Sequence, residues 1–308
     1  MARRPFADNA PHMCARFRSG LPLPRRVTTA AAAAVLLAAA ALPSGAGAVA
    51  NGTPARPRAA RWEATLVQKL GTPVAEGHTA INIREQCSGA LIAPDVMLSA
   101  GHCVAFADPG EVSAYYEVLV GNQPLSSGRD SVVGVREVRV DPAFAVHTNP
   151  QSPDSEDSDS ASGDMSLIVL DHPVTGVRPL RLASSWPAPG TPVRLFGHGT
   201  TPDTAQTDTL ELGTMTIGAT ARCAQTTPAF VDAANMGCAE GLSEACGGDS
   251  GGPLVTGYGA NARLVGVVSF TTALTDDRAC GSGPSFFSKV AAGRSWIDAQ
   301  LRQLAKES

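Results

Sequence analysis

Gly248-Asp249-Ser250-Gly251-Gly252-Pro253 is the most constrained stretch of this 308-residue chain. A serine set among glycines lets the main chain come close to a substrate carbonyl, because no Cβ stands in the way. The N–H groups of Gly248 and Ser250 can then converge as an oxyanion hole. A bare G-x-S-x-G would read as readily as an ordinary Gly-rich turn; the six-residue string is far more specific. A serine hydroxyl is a weak nucleophile unless a base stands beside it, and the base in turn needs an orienting group.

Two segments upstream offer those partners. Leu98-Ser99-Ala100-Gly101-His102-Cys103 follows a mostly apolar run from Ala90, and imidazole is the usual base for a serine. His78, His147, His172 and His198 lack comparable surroundings. Gly163-Asp164-Met165-Ser166-Leu167-Ile168-Val169-Leu170 opens an apolar strand with an acid. A carboxylate there is costly unless its charge is used, and orienting an imidazole uses it. The chain order is thus His102, Asp164, Ser250, one of the known triad orders.

The N-terminus reads as a secretory signal. Arg25 and Arg26 precede an apolar run, Ala30 to Leu42, and the small residues Ala46-Gly47-Ala48 follow. That run is too short to span a bilayer. The upstream region is long, so Met13 is an alternative start, and the export route stays open. Without residues 1–48 the chain keeps 18 basic and 27 acidic residues, a net charge of −9. Nucleic acid is disfavoured as a partner, and so is a membrane once the signal is gone. Six cysteines remain: Cys87, Cys103, Cys223, Cys238, Cys246 and Cys280. An even number in an exported chain argues for disulfides, and spacing alone leaves their pairing open. No C-x-x-C pair occurs, which argues against zinc.

The mature region alternates short apolar runs with turns. Expected strands are 64–70, 88–92, 96–98, 116–120, 132–140, 166–170, 193–196, 214–217 and 264–270. Such spacing favours an all-β barrel or sandwich over βαβ units. In 291–305 the residues Trp296, Ile297, Leu301 and Leu304 fall near helical spacing and predict a C-terminal amphipathic helix. Thr148–Gly163 is Ser-rich and acidic and reads as an exposed loop without the spacing of an EF-hand.

These motifs carry a family resemblance. CSGALIAPDVMLSAGHC (87–103), GDMSLIVL (163–170) and EACGGDSGGPLV (244–255) resemble, in order and spacing, the chymotrypsin/trypsin family of serine endopeptidases, compact secreted bacterial-type members in particular. FGHG (196–199) looks like that family's Ser-Gly-Trp-Gly turn, and VGVVSF (265–270), FFSKV (286–290) and SWI (295–297) look like its last strands and helix. The resemblance implies two packed antiparallel β-barrels, over 49–175 and 176–308, with the cleft between them. His102 and Asp164 come from the first barrel and Ser250 from the second. It implies disulfides Cys87–Cys103, Cys223–Cys238 and Cys246–Cys280, and no cofactor or metal. Ser269 would support Asp164, and Ser269, Phe270 and Thr271 would pair with substrate backbone. Activation would follow from insertion of a new Val49 amine beside Asp249. The rival A-x-A site Ala48-Val49-Ala50 would leave Asn51 first instead.

Specificity departs from the family's regular patterns. Glu244 stands where trypsin-like enzymes carry Asp at the pocket base, which favours Arg or Lys at P1. Thr271 and Ser285 stand at wall positions that are Gly in trypsin and resemble narrower, elastase-like pockets. Expected partners are protein or peptide substrates and proteinaceous inhibitors, with the chain a monomer. A non-catalytic binding module on the same fold is the alternative from another class.

Overall fold

A computed structural model of the chain describes residues 49–56, 59–68, 85–108, 111–121, 124–125, 132–151, 153, 159–199, 207–271, 280 and 283–307. The expected signal peptide lies outside them, as do 69–70 of the first expected strand and 152 and 154–158 of the acidic loop. The first half carries β1 (Thr53–Pro54), β2 (Glu63–Gln68), β3 (Glu85–Ala93), β4 (Val96–Ser99), α1 (Val112–Tyr115), β5 (Tyr116–Val120), β6 (Val132–Val140), β7 (Ala145–His147), β8 (Ser160–Ser162) and β9 (Ser166–Leu170). The second carries β10 (Arg181–Leu182), β11 (Pro192–Gly197), β12 (Glu211–Ile217), α2 (Thr220–Cys223), β13 (Met236–Glu240), β14 (Pro253–Thr256), β15 (Arg263–Thr271), β16 (Ser285–Lys289) and α3 (Val290–Glu307).

β2-β3-β4-β9-β6-β5 close into an antiparallel barrel, and β12-β11-β14-β15-β16-β13 close into a second one through the β12–β13 pairing. Side-chain alternation explains the closure. In β12, Glu211, Gly213, Met215 and Ile217 are buried, while Thr214 and Thr216 face solvent. β9 is buried at all five positions, because it lies between β4 and β6 under the rest of the first barrel. Leu66, Leu91, Met97, Leu98, Leu167 and Ile168 fill the first core; Val193, Leu195, Met215, Leu254, Val265 and Phe287 fill the second.

Two segments cross the expected division at residue 176. Val49 is fully buried in the second core, and β1 pairs with β12, so the start of the chain belongs to the second barrel. At the other end, Val290, Ile297 and Leu304 of α3 join the cluster that holds the first core and also takes in Phe196, Leu264 and Val267 of the second barrel. Arg139 of β6 anchors the same helix through Gln300 and Glu307. The start of the chain thereby joins the second barrel, and the C-terminal helix bridges the two. The strands expected at 116–120, 132–140 and 166–170 have those bounds, whereas β1, β7, β8, β10, β13 and β14 carry no strong periodic signal. Their pairing partners, not their own composition, make them strands.

Candidate active site

His102 follows β4, and Asp164 lies in the link between β8 and β9, two neighbouring parts of the first barrel. The β4–β9 register sets Ser99 opposite Ser166, which brings the two links together. Asp164 Oδ1 accepts the His102 main-chain N–H at 2.8 Å, and Oδ2 lies 2.8 Å from His102 Nδ1. Ser269 of the second barrel donates its hydroxyl to the same Oδ2 at 2.6 Å. An ionised carboxylate only accepts, so Nδ1 carries the proton and Nε2 keeps its lone pair. Asp164 is fully buried, while the His102 side chain keeps 30% of its surface exposed. Burial pushes the Asp164 carboxyl up, but the His102 charge and the hydrogen bonds from His102 and Ser269 outweigh it and hold it below the usual range. Burial pulls His102 down, and the charge and hydrogen bond of Asp164 more than reverse this, leaving it raised.

Ser269 reaches Asp164 because of a β-bulge. Val268 pairs with Phe287 and Phe270 with Phe286, so Ser269 is an extra residue on β15. Such insertions re-aim one side chain without disturbing the rest of the strand. Phe270 beyond it stacks on Phe286, centroids 4.6 Å apart. A family member usually has Ala at the position of Gly101; here a Cβ would come within 2.9 Å of the Phe144 ring.

The Ser250 loop turns through Gly248 at φ +90°, a left-handed conformation that favours glycine. Ser88, next to the Cys87–Cys103 disulfide, holds the loop from the first barrel. Its N–H donates to the Ser250 carbonyl at 2.8 Å and its hydroxyl to the Gly248 carbonyl at 3.3 Å. Among the described residues, the N–H groups of Gly248 and Ser250 donate to no protein acceptor. Ser88 was not singled out from sequence; its position beside Cys87 was the available signal. Asp249 is fully buried and accepts the N–H of Gly199 at 3.0 Å and of Cys246 at 2.9 Å.

The other expected site residues gather near this loop. Glu244 is buried, bridges Ala50 through paired main-chain bonds of 3.0 and 3.2 Å, and accepts the Gly283 N–H on Oε2 at 3.3 Å. Ser285 accepts the Ala245 N–H at 3.0 Å and pairs across the sheet with Thr271. Disulfides join Cys87 to Cys103, Cys223 to Cys238 and Cys246 to Cys280. The sulfurs closest to His102 are therefore bonded to each other and offer no thiolate to a metal.

The family model described as Trypsin matches residues 49–297. The chain belongs to the trypsin family. It is 30% identical to Trypsin iota of Drosophila melanogaster over 224 residues, 70% of this chain and 79% of that protein. It is 28% identical to Kallikrein-11 of Homo sapiens over 82% of this chain and 80% of that protein. A solved structure of neuropsin, a serine protease expressed in the limbic system of mouse brain, has a similar fold, with a TM-score of 0.63 at 24% identity. It covers 82% of this chain and 99% of that one. This trypsin-family member is a serine-type endopeptidase acting on protein or peptide substrates.

Proposed function

We propose that the chain is a secreted, trypsin-like endopeptidase in which Ser250 attacks the scissile carbonyl and His102 takes and returns the proton. Asp164 fixes the imidazole tautomer and stabilises imidazolium. The N–H groups of Gly248 and Ser250 hold the oxyanion. The observation that carries this reading is the fully buried Asp164, oriented between His102 and Ser269 with all three hydrogen bonds at 2.8 Å or less. The leader and the three disulfides support export. The two barrels act together as a monomer, with proteinaceous inhibitors competing for the cleft. Fluorophosphonate labelling tests the mechanism. The wild-type protein should label at Ser250, and Ser250→Ala should lose labelling and lower kcat on the order of 10⁴–10⁶-fold while staying folded. A wild-type protein that never labels would leave a binding module on a protease fold.

Specificity follows from Glu244. An acid at the position that the family resemblance gives to the pocket base attracts a cationic P1 side chain. Arg reaches further than Lys past Thr271 and Ser285. The second reading, a small P1 residue, is favoured by those same two wall residues.

Activation rests on Val49 and Asp249. In the uncleaved chain Val49 carries a peptide nitrogen, and burial pushes the Asp249 carboxyl up to about 7, despite the N–H groups of Cys246 and Gly199. Cleavage after Ala48 would turn that nitrogen into an amine and supply the missing positive charge. Its folded pKa should rise above the unfolded value of about 7.7–8.0. The resulting stabilisation is complete below that unfolded value and is lost as pH rises through the higher folded one.

A further inference from the structure

The family's Gly-Trp-Gly turn is Gly197-His198-Gly199 here, and the histidine is fully buried between the barrels. Across from it, on β2 of the first barrel, stands Glu63, also fully buried. His198 Nε2 lies 3.9 Å from Glu63 Oε2, too far for a hydrogen bond. Among the described residues, Glu63 Oε2 and both ring nitrogens of His198 make no well-formed hydrogen bond, and the Thr207 main chain approaches the ring only loosely. Leaving such buried groups poorly satisfied is costly. A contraction of about 1 Å would bring the pair to hydrogen-bonding distance. Trp62, next to Glu63 in sequence, and Phe196, two residues before His198, pack edge to face with centroids 5.3 Å apart.

We propose that Glu63 and His198 form a proton-sharing clasp between the barrels that positions the Gly197–Gly199 turn, and through it Asp249 and the Ser250 loop. The proposal rests on the endopeptidase reading for its effect on Ser250. The turn is the direct support of Asp249. Gly199 donates to its Oδ1, and a Cβ at Gly197 would stand 2.0 Å from that oxygen, so the turn packs directly against the carboxylate. Asp249 in turn precedes Ser250 in the chain. Glu63 and His198 are thus positioning residues, and neither is placed to touch substrate.

One proton serves the clasp. With Glu63 protonated and His198 neutral, the acid O–H can donate to an imidazole nitrogen and no net charge is buried. Burial pushes Glu63 up to about 8, against the hydrogen bond from Thr65. Burial also pulls His198 down to about 4, against the main chain of Thr207 and the carboxylate of Asp208. Among the described residues, the remaining acids of this region are Glu211, opposite Gly197 on β12, and Asp249 itself, whose carboxyl Glu211 pushes further up. The two linkage effects have opposite signs. The raised Glu63 contributes stability that is complete below its ordinary value of 4.5 and is lost as pH rises through about 8. The lowered His198 contributes stability that is complete above its ordinary 6.5 and is lost as pH falls through about 4. Between 4.5 and 6.5 the slopes cancel; above 6.5 only the Glu63 loss remains.

The test follows hydrogen–deuterium exchange of the 196–199 backbone and the rate of fluorophosphonate labelling, both from pH 6 to pH 9, in the purified protein. Wild type should lose protection and labelling rate together through an ionisation near 8. Glu63→Gln, which keeps a donor but cannot ionise, should lack that component in both readouts. Whatever the Val49 amine contributes persists in both proteins and does not mimic this loss. Glu63→Leu should lower kcat several-fold at pH 6.5 with KM unchanged, and Glu63→Gln should restore it. Superimposable wild-type and Glu63→Gln curves in both readouts would overturn the clasp. Exchange altered with labelling unchanged would overturn its positioning role. If wild type does not label at all, the endopeptidase reading fails, and exchange, which needs no catalysis, still decides the clasp.

Discussion

Asp164 shows how one side chain acquires a role that its type alone does not give. A carboxylate with no exposed surface survives in the core because His102 and Ser269 satisfy it. Its lowered pKa means stability present above the unfolded value of about 3.9 and lost as pH falls through the lower folded one. The raised His102 has the opposite sign: its contribution is present below 6.5 and lost as pH rises through the folded value. Catalysis needs the neutral imidazole, so kcat/KM should fall on the acid side through an ionisation above 6.5. Asp164→Asn should move that limb downward and cut kcat on the order of 10⁴-fold, read from a pH–rate profile. Glu244 is the other residue with a sharp expectation. Glu244→Gln should lower kcat/KM for Arg at P1 and leave small P1 residues little changed. A P1 library that prefers Ala or Val, unchanged by the substitution, would favour the narrow-pocket reading.

Elements matter here chiefly through their interruptions. The bulge in β15 turns Ser269 toward Asp164, and no periodicity in VGVVSF announces it. The His102 and Asp164 segments were legible because each couples a polar residue to an apolar strand. β13 and β14 were not, since Gly237 and the short span of Pro253–Thr256 weaken the alternation. α2 and β13 are joined instead by Cys223–Cys238, with a sequence separation of 15. Replacing both cysteines by Ala should cost about 3 kcal/mol, measured by urea unfolding, since the open loop regains its entropy when unfolded. Activity at 25 °C should survive, because the bond touches neither Ser250 nor His102.

At the scale of the molecule, the two termini tie the barrels together. Val49 fills the second core, and a Cβ on Gly213 would meet its Cγ1 at 2.6 Å, so the pocket is closely fitted to the first residues of the domain. A Gly-Ser extension before Val49 should abolish peptidase activity without unfolding the protein, because the amine can no longer reach Asp249. Circular dichroism with active-site titration separates the two effects. Losing one partner of a buried ion pair costs roughly 3–5 kcal/mol. N-terminal sequencing of the active protein should read from Val49, and an active protein beginning at Asn51 would sink the activation scheme.

Local chemistry made the Ser250 loop, the His102 and Asp164 segments, the all-β class and the terminal helix legible, because each rests on neighbours in sequence: glycines around a serine, alternation along a strand, spacing along a helix. The tertiary structure alone decided what depends on residues far apart. It seated Ser88 behind Ser250, bulged Ser269 onto Asp164, moved Val49–Pro54 to the second barrel and set α3 across both. It also set Glu63 against His198, 135 positions apart, where neither residue's own neighbourhood hints at a partner. Burial and pairing energies arise between strands, and a register fixed by barrel closure is a property of the whole sheet.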